Sequence, residues 1–284
     1  MSLTSQIKLR LFAVGCPRSG TTLLQGLLNI HPEITSFTES HFFDWGIKNP
    51  RLGPLFYVSK RGNVLVSEFL EKNRITYDVS NKLLKKKPKS FFIPGFGVST
   101  WVQYFIEVLD KSAASRNKTI WLEKTPENLR RIDLIEKNTE KSTFIHIIRE
   151  GGDTVASIVN AWSHYYSIEK AIKRWNDNLR YSIKRMHTGK DIFIHYDDLT
   201  EKTTTSLKYI FQKLGLTFDD RWLSNYTSSV KSIITPEESW KENVVEKIKK
   251  RSSFDATFNK VEKKEIMSKL ILDQYQEIFK QIKL

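Results

Sequence analysis

The sequence predicts an α/β protein in three layers, with a mostly parallel central sheet flanked by helices. Three continuous apolar stretches are typical of buried strands, and each runs into an amphipathic helical pattern, at residues 8–30, 142–162 and 191–216. A helix that follows each strand is the connection that parallel neighbours need. At 284 residues the chain is long enough for one large domain of this kind, or for two smaller ones.

The three strand–helix units differ in how their strands end. Lys8–Val14 is predicted as a strand that enters a Gly-rich loop, with a helix over Thr21–Ile30. In the second unit the strand ends at Ile148 and the helix begins near Asp153. The third strand, Asp191–Thr200, ends in polar residues before another helical pattern. The units therefore leave polar and glycine residues where strands meet helices.

We expect the whole chain, residues 1–284, to form a single domain. Residues 50–118 are predicted as an insertion, either the wall of a substrate pocket or ordinary helical core. Within it, residues 83–90 are predicted as an exposed basic loop, and residues 90–105 are rich in aromatic side chains. Residues 220–284 form a helical, lysine-rich C-terminal segment.

Composition narrows the partners. The 46 Lys and Arg against 32 Asp and Glu give a net charge of +14, which favours polyanionic or phosphorylated partners, or else simply a lysine-rich surface. The single cysteine, Cys16, excludes an internal disulfide and a cysteine-based zinc cluster. With no apolar run near the ~18 residues of a membrane span and no signal peptide, we expect a cytoplasmic protein without stable membrane insertion. The oligomeric state is not indicated.

The loop Gly15–Thr22 (GCPRSGTT) is the first chemical motif. Its spacing is that of a phosphate-binding loop, which presents backbone N–H groups and a helix N-terminus to an anion. A nucleoside triphosphate loop has lysine where this chain has Thr21, and here the cation is Arg18 instead. Because the strand before Arg149 supplies no aspartate for Mg²⁺, we expect a compact anion held by a guanidinium and hydroxyls, with no metal.

A second motif follows a later strand. Arg149 stands at the carboxyl end of a predicted parallel strand, where open α/β sheets bind ligands. Ser157 lies eight positions on, about two turns into the next helix. An arginine with a serine hydroxyl suits a second, separate phosphate.

Taken together, PRSGTT and the R…S pair closely resemble the sulfotransferases that use 3′-phosphoadenosine 5′-phosphosulfate (PAPS). Glu123–Pro126 (EKTP) and His195–Leu199 (HYDDL) resemble two further segments of that family, K-[TSD]-P and Y-E-D-L. The spacings look more like the tyrosylprotein, glycosaminoglycan and bacterial Stf-type branches than the cytosolic phenol and steroid branch, whose histidine-based acceptor motif is missing here. The resemblance implies a P-loop NTPase-like sulfotransferase fold.

The resemblance also implies residue roles for the co-substrate. The 5′-phosphosulfate would be held by five loop residues: Arg18, Ser19, Gly20, Thr21 and Thr22. Arg18 would also neutralise the charge on the leaving phosphate. Arg149 and Ser157 would clamp the 3′-phosphate, and Tyr196 would lie near the nucleotide. Family members often close the 3′-phosphate site with a C-terminal basic loop, for which Ser232, Lys241 and Arg251 are the alternatives.

Two further side chains are candidates for catalysis. Glu39 falls just beyond the first helix, where the second parallel strand should end, and the related branches place a catalytic glutamate there, so we choose it as general base. His41, two residues on and expected on the same strand face, is the alternative base. By resemblance, Lys124 contacts the transferring group or the leaving oxygen; standing alone it would be a surface lysine at a strand end.

The expected function is therefore transfer of a sulfuryl group from PAPS to an acceptor hydroxyl, or less readily an amine, with release of 3′,5′-ADP. The acceptor is a small molecule, glycan, lipid or peptide that the sequence does not identify, and nucleic acid is not expected. Two alternatives are a P-loop kinase, which would need Mg²⁺ and ATP, and a non-catalytic module that binds polyanions through its basic surface.

Overall fold

A five-stranded parallel sheet organises the chain, as the sequence predicted. In this computed structural model, which describes residues 7–48, 57–88, 97–234 and 248–282, the strand order is β2-β5-β1-β6-β7. The strands are β1 Leu9–Gly15, β2 Ile34–Ser36, β5 Ile120–Lys124, β6 Ser142–Ile148 and β7 Ile192–His195. Parallel register pairs Ile34 with Ile120, and Ile145 with Ile192. Two short strands, β3 Ile47–Lys48 and β4 Tyr57–Val58, form a separate antiparallel pair.

The chain forms two compact units whose boundaries cut through β1 and β6. The first comprises residues 1–12 and 31–143, and the second comprises residues 13–30 and 144–284. The assignment of residues 1–284 to one domain stays a prediction.

The first unit surrounds its strands with helices from the region predicted as an insertion. Its helices are α2 Lys60–Lys72, α3 Tyr77–Lys85, α4 Val98–Ala114 and α5 Ile132–Asn138. Helix α4 buries Trp101 and Phe105 completely, and the Phe105 ring stacks on Phe42 at 4.2 Å between centroids. The described part of the insertion is therefore mainly helical, and its helix α4 is part of the core. Residues 89–96 of its aromatic stretch lie outside the described residues, and its role at an acceptor site stays a prediction.

The second unit contains the helices that follow β1, β6 and β7. They are α1 Thr21–Leu28, α6 Gly151–Ala161, α7 Ile168–Met186, α8 Tyr196–Glu201, α9 Thr203–Lys213, α10 Tyr226–Lys231, α11 Phe254–Thr257, α12 Lys260–Lys269 and α13 Leu272–Gln281. Its core joins Val155 of α6 and Trp175 of α7 to Ile266 and Ile278 of the C-terminal helices. This packing holds the C-terminal segment against the elements that follow β6.

Two boundaries differ from the sequence expectation for a local reason. Helix α6 begins two residues before Asp153 because the Glu150 carboxylate accepts hydrogen bonds from the amides of Gly152 and Asp153, at 2.7 and 2.8 Å. Strand β7 ends at His195, since Asp197 and Asp198 stand in the first turn of α8, where negative charge favours a helix start. Among the described residues, no helix is long and apolar enough to span a bilayer.

Candidate active site

The Gly-rich loop lies in the second unit, between β1 and α1. Arg18 and Gly20 both adopt left-handed backbone conformations, with φ of 70° and 96°. A Cβ at Gly20 would lie 2.5 Å from Cδ2 of Tyr196, so this position needs glycine for space as well as for conformation. The predicted nucleotide residue Tyr196 is thus packed directly on the loop.

Arg149 joins the loop to the end of β6. Its Nη1 donates to the backbone oxygen of Arg18 at 2.9 Å, and its guanidinium lies 4.4 Å from the centre of the Tyr196 ring. The side chain is 7% exposed. Strands β1 and β6 are neighbours in the sheet, and chain connections leave them in opposite directions, which is where open α/β sheets bind ligands.

The structure also brings Ser157 to the loop. Arg18 donates from Nε to the Ser157 hydroxyl at 3.3 Å, and its guanidinium lies 6.0 Å from the centre of the Trp162 ring. The sequence assigned Arg18 and Ser157 to two different anionic groups of one nucleotide. Their contact means that the side chains assigned to those two groups are immediate neighbours.

The loop hydroxyls differ in exposure. Ser19 and Thr21 are buried, whereas Thr22 is half-buried. Ser19 lines a small cavity that Asn178 of α7 also lines, together with Arg149. Within the described part of the chain, three buried polar atoms of this cavity have no hydrogen-bond partner: Ser19 Oγ, Asn178 Oδ1 and Arg149 Nε. Asn178 was missed from the sequence because a single asparagine in an amphipathic helix carries no signal of its own.

A C-terminal segment lies on the same group of side chains. The backbone oxygen of Arg251 accepts from Nη2 of Arg149, and its amide donates to the Tyr196 hydroxyl at 3.2 Å. Asp153 anchors the following residues, since its Oδ1 accepts from the Ser252 hydroxyl at 2.8 Å and from the amides of Ser253 and Phe254 at 2.9 and 3.1 Å.

The other two C-terminal alternatives stand differently. The Ser232 hydroxyl donates to the Ser229 carbonyl at the end of α10. Lys241 lies outside the described residues.

The two catalytic candidates of the first unit form an ion pair. Lys124 ends β5 with its side chain 1% exposed, and its ammonium group donates to Oε1 of Glu39. The second carboxylate oxygen of Glu39 lies 3.4 Å from Nε2 of His41. Lys124 is therefore not a surface lysine, and Glu39 contacts both other candidates although 85 positions separate it from Lys124.

The expectation that Glu39 and His41 share a strand face is wrong. Strand β2 ends at Ser36, and His41 has a left-handed conformation with φ of 49° before a π-helical turn, Phe42–Gly46. The turn lets the imidazole stack on Trp45, with ring centres 3.9 Å apart and planes 6° from parallel. This reversal of the chain, not strand alternation, brings His41 to Glu39.

Glu123, next to Lys124 on β5, was missed as a site residue. It is fully buried, and burial raises the pKa of its carboxyl group, opposed by hydrogen bonds from Thr125 and Ser40. The sequence carried little signal for this role, because one of its hydrogen-bonding partners, Ser40, lies 83 positions away.

A cluster of possible metal ligands lies beside His41. His41, Asp44 and Glu127 each place one ligand atom within 4.8 Å of the others, and all three are half-buried. Carboxylates often gather in this way without a cation, so the cluster does not identify a metal site. The expectation of metal-independent chemistry stays a prediction.

The loop after β1 and the arginine after β6 meet at one edge of the parallel sheet of an α/β protein. Residues 10–220 match the Sulfotransferase family. The chain belongs to this family, and it is a sulfotransferase by class.

Solved structures agree on the fold. The sulfotransferase domain from the curacin biosynthetic pathway has a TM-score of 0.59 at 18% identity, over 92% of this chain and 96% of that domain. The sulfotransferase domain of the Synechococcus PCC 7002 olefin synthase has a TM-score of 0.60 at 17% identity, over 92% and 93%. Mouse sulfotransferase SULT7A1, complexed with PAP, has a TM-score of 0.51 at 16% identity, over 94% and 86%.

Proposed function

We propose that this protein moves the sulfuryl group of PAPS to an acceptor hydroxyl by in-line displacement and releases 3′,5′-ADP. The observation that carries the proposal is the meeting of Arg18, Arg149, Ser157 and Tyr196 at the loop after β1. Two guanidinium groups and a hydroxyl suit a ligand with two separate anionic groups. The PAP complex of mouse SULT7A1 shows that a protein of this fold takes such a nucleotide.

The residues fit the co-substrate on chemical grounds. Ser19 Oγ and Arg149 Nε are buried donors without a partner in the described part of the structure, and a bound anion would satisfy donors of this kind. PAPS would supply the sulfuryl group and a phosphate leaving group. We assign Arg149 and Ser157 to the 3′-phosphate, and Arg18, Ser19, Gly20, Thr21 and Thr22 to the 5′-phosphosulfate.

Arg251 is our choice among the three C-terminal alternatives. Its backbone already contacts Arg149 and Tyr196, and Asp153 fixes the residues that follow. Arg251 also carries the positive charge that a phosphate site requires. We therefore propose that the segment 249–254 closes this part of the nucleotide site.

For the transfer step, we assign Glu39 as general base and Lys124 as electrophilic catalyst, the cation that stabilises developing negative charge. The acceptor oxygen forms a bond to sulfur while the bond from sulfur to the phosphate oxygen breaks, and Glu39 takes the acceptor's proton. We assign to Lys124 the charge that develops on the transferring group and, as the family resemblance implies, to Arg18 the charge on the leaving phosphate. His41 lies 3.4 Å from the second oxygen of Glu39, where it can orient the carboxylate or act as the base itself.

The proposal is tested first by nucleotide binding. Because a 3′-phosphate site discriminates between nucleotides, purified protein should bind 3′,5′-ADP far more tightly than 5′-AMP in isothermal titration calorimetry. Equal affinities would contradict the assignment. Glu39→Gln and Lys124→Ala should abolish turnover and retain nucleotide binding; full activity in both would overturn their catalytic roles.

The acceptor remains to be identified by activity. A transfer screen with ³⁵S-labelled PAPS across phenolic, glycan, lipid and peptide acceptors covers the classes that the sequence leaves open. The P-loop kinase alternative predicts Mg²⁺-dependent ATP turnover, which Thr21 in the lysine position argues against. A polyanion-binding module would instead show salt-sensitive binding without any nucleotide requirement.

A further inference from the structure

Glu123 stands at the centre of a buried hydrogen-bond network in the first unit. It is the residue before Lys124 on β5, and its side chain has no exposed surface. A buried carboxylate is costly unless donors surround it. The donors that meet it here come from both segments that carry the proposed catalytic pair.

Each carboxylate oxygen of Glu123 accepts hydrogen bonds. Oε1 accepts from the Ser40 hydroxyl at 2.7 Å, from the Thr125 hydroxyl at 2.6 Å and, at 3.4 Å, from the Ser40 amide. Oε2 accepts from Nδ2 of Asn128 at 2.6 Å. A group that only accepts is the chemistry that four converging donors require.

The partners of Glu123 are the immediate neighbours of the catalytic candidates. Ser40 follows Glu39, and Thr125 follows Lys124. The Thr125 hydroxyl also accepts from the His41 amide at 3.3 Å, and the Ser40 hydroxyl accepts from the Phe42 amide at 3.2 Å. The network therefore ties the segment 39–42 to the end of β5.

Burial of the Glu123 carboxylate has a cost that its hydrogen bonds offset. Burial raises the pKa of the Glu123 carboxyl group, and the negative charge of Glu39 raises it further. Removal of the carboxylate alone would leave the buried donors of Ser40, Thr125 and Asn128 without their acceptor. A buried carboxylate whose partners flank Glu39 and Lys124 points to a role in their placement.

We propose that Glu123 is a positioning residue, whose carboxylate fixes Glu39 and Lys124 relative to each other by holding Ser40 and Thr125. The inference rests on the proposed function, because it takes that ion pair to act in sulfuryl transfer. Glu123 itself need not touch the substrate. Its effect on the reaction is carried by the geometry of the pair.

The test uses water as acceptor, so that the natural acceptor need not be known. Hydrolysis of ³⁵S-labelled PAPS releases inorganic sulfate and 3′,5′-ADP: a water oxygen bonds to sulfur, the sulfur–phosphate oxygen bond breaks, and the water proton passes through Glu39 to solvent. The variants are Glu123→Leu, which removes both acceptor oxygens, and Glu123→Gln, which keeps one. Thr125→Val removes the hydroxyl between Glu123 and the His41 amide. Glu33→Leu is a matched control, since that carboxylate pairs with Lys8 instead.

We expect Glu123→Leu to lower kcat by about 10- to 100-fold, because misplacement of a catalytic group by about 1 Å can cost that much. Its KM for PAPS should stay within twofold, whereas its thermal midpoint should fall because the buried donors of Ser40, Thr125 and Asn128 lose their acceptor, so kcat is measured well below that midpoint. Glu123→Gln should recover part of the lost kcat, since its oxygen can keep the Ser40 and Thr125 bonds while the Asn128 amide turns to accept. Glu33→Leu should leave kcat within twofold.

A folded Glu123→Leu protein with kcat within twofold of the natural chain would overturn the inference. If that variant fails to fold, Thr125→Val decides in the same way, with a loss of at least tenfold expected. Absence of both PAPS hydrolysis and 3′,5′-ADP binding in the natural protein would instead refute the proposed function. In that case ¹⁵N-lysine NMR still reports on the ion pair between Lys124 and Glu39. The Lys124 ammonium signal, which is assigned by its loss in Lys124→Arg, should shift in Thr125→Val. An unchanged signal would overturn the positioning role.

Discussion

Replacement of Arg149 by methionine gives a sharp test of the nucleotide site. Methionine keeps an unbranched apolar chain and removes the guanidinium that bonds to the Arg18 carbonyl and lies over Tyr196. A hydrogen bond to a charged group contributes about 1.5–3 kcal/mol, so losing one 3′-phosphate contact should weaken 3′,5′-ADP binding about 10- to 150-fold. Binding of 5′-AMP, which lacks that phosphate, should change less than about threefold on the same argument.

Calorimetry with both nucleotides measures this difference directly. Arg221→Met is the matched control, because it removes the same charge from an exposed side chain paired with Asp219. It should leave both affinities unchanged at physiological ionic strength. Thermal unfolding of Arg149→Met reports any loss of fold, since the guanidinium also bonds to the Arg251 carbonyl. An equal loss for the two nucleotides, or no loss for 3′,5′-ADP, would refute the assignment of Arg149 to the 3′-phosphate.

Three further predictions follow from contacts in the two units. Asp153→Asn should weaken the anchoring of residues 252–254, lower stability by about 1–2 kcal/mol and loosen 3′,5′-ADP binding. The control is Asp255→Asn, which changes an exposed carboxylate paired with Lys263. Equal effects of the two variants in calorimetry and denaturant unfolding would contradict the anchoring role of Asp153. Burial lowers the pKa of His146, so the unfolded chain takes up a proton below about pH 6.5 that the folded chain resists. The free energy of unfolding should therefore decrease as the pH is lowered below that value, by up to about 1.4 kcal/mol per pH unit, and this decrease should be smaller in His146→Gln. Urea unfolding at a series of pH values measures it, and the same dependence on pH in both proteins would contradict the prediction. Turnover should be unchanged in the presence of EDTA. If EDTA instead abolishes turnover, added metal restores it and Glu127→Gln causes the same loss, a cation would be assigned to the cluster around His41.

The nucleotide-binding candidates of the second unit could be predicted because their signals are local. A buried strand, a Gly-rich turn and an amphipathic helix fix the loop around Arg18 within a few residues of sequence. The position of Arg149 follows from the same strand–helix pattern at β6. That Arg18 and Ser157 would contact each other could not be predicted, since it depends on how α6 packs beside the loop.

The catalytic candidates of the first unit depend on contacts between distant segments of that unit. Glu39 and Lys124 were each chosen by resemblance, but their ion pair joins positions that no periodic pattern relates. His41 was misplaced because alternation was assumed to continue past the end of β2, where the backbone in fact turns. Glu123 was overlooked because an acidic residue in a short apolar strand has no evident partner until Ser40 and Asn128 are folded around it.

The close packing of Gly20 against Tyr196 has an evolutionary consequence. The tyrosine ring fills the space that any side chain at position 20 would need, at 2.5 Å from a Cβ placed there. The two positions are therefore constrained as a pair: wherever a relative replaces the loop glycine, the residue at the position of Tyr196 should be smaller. An aligned set of relatives in which the two positions vary independently would show that the loop can move away from the ring at position 196.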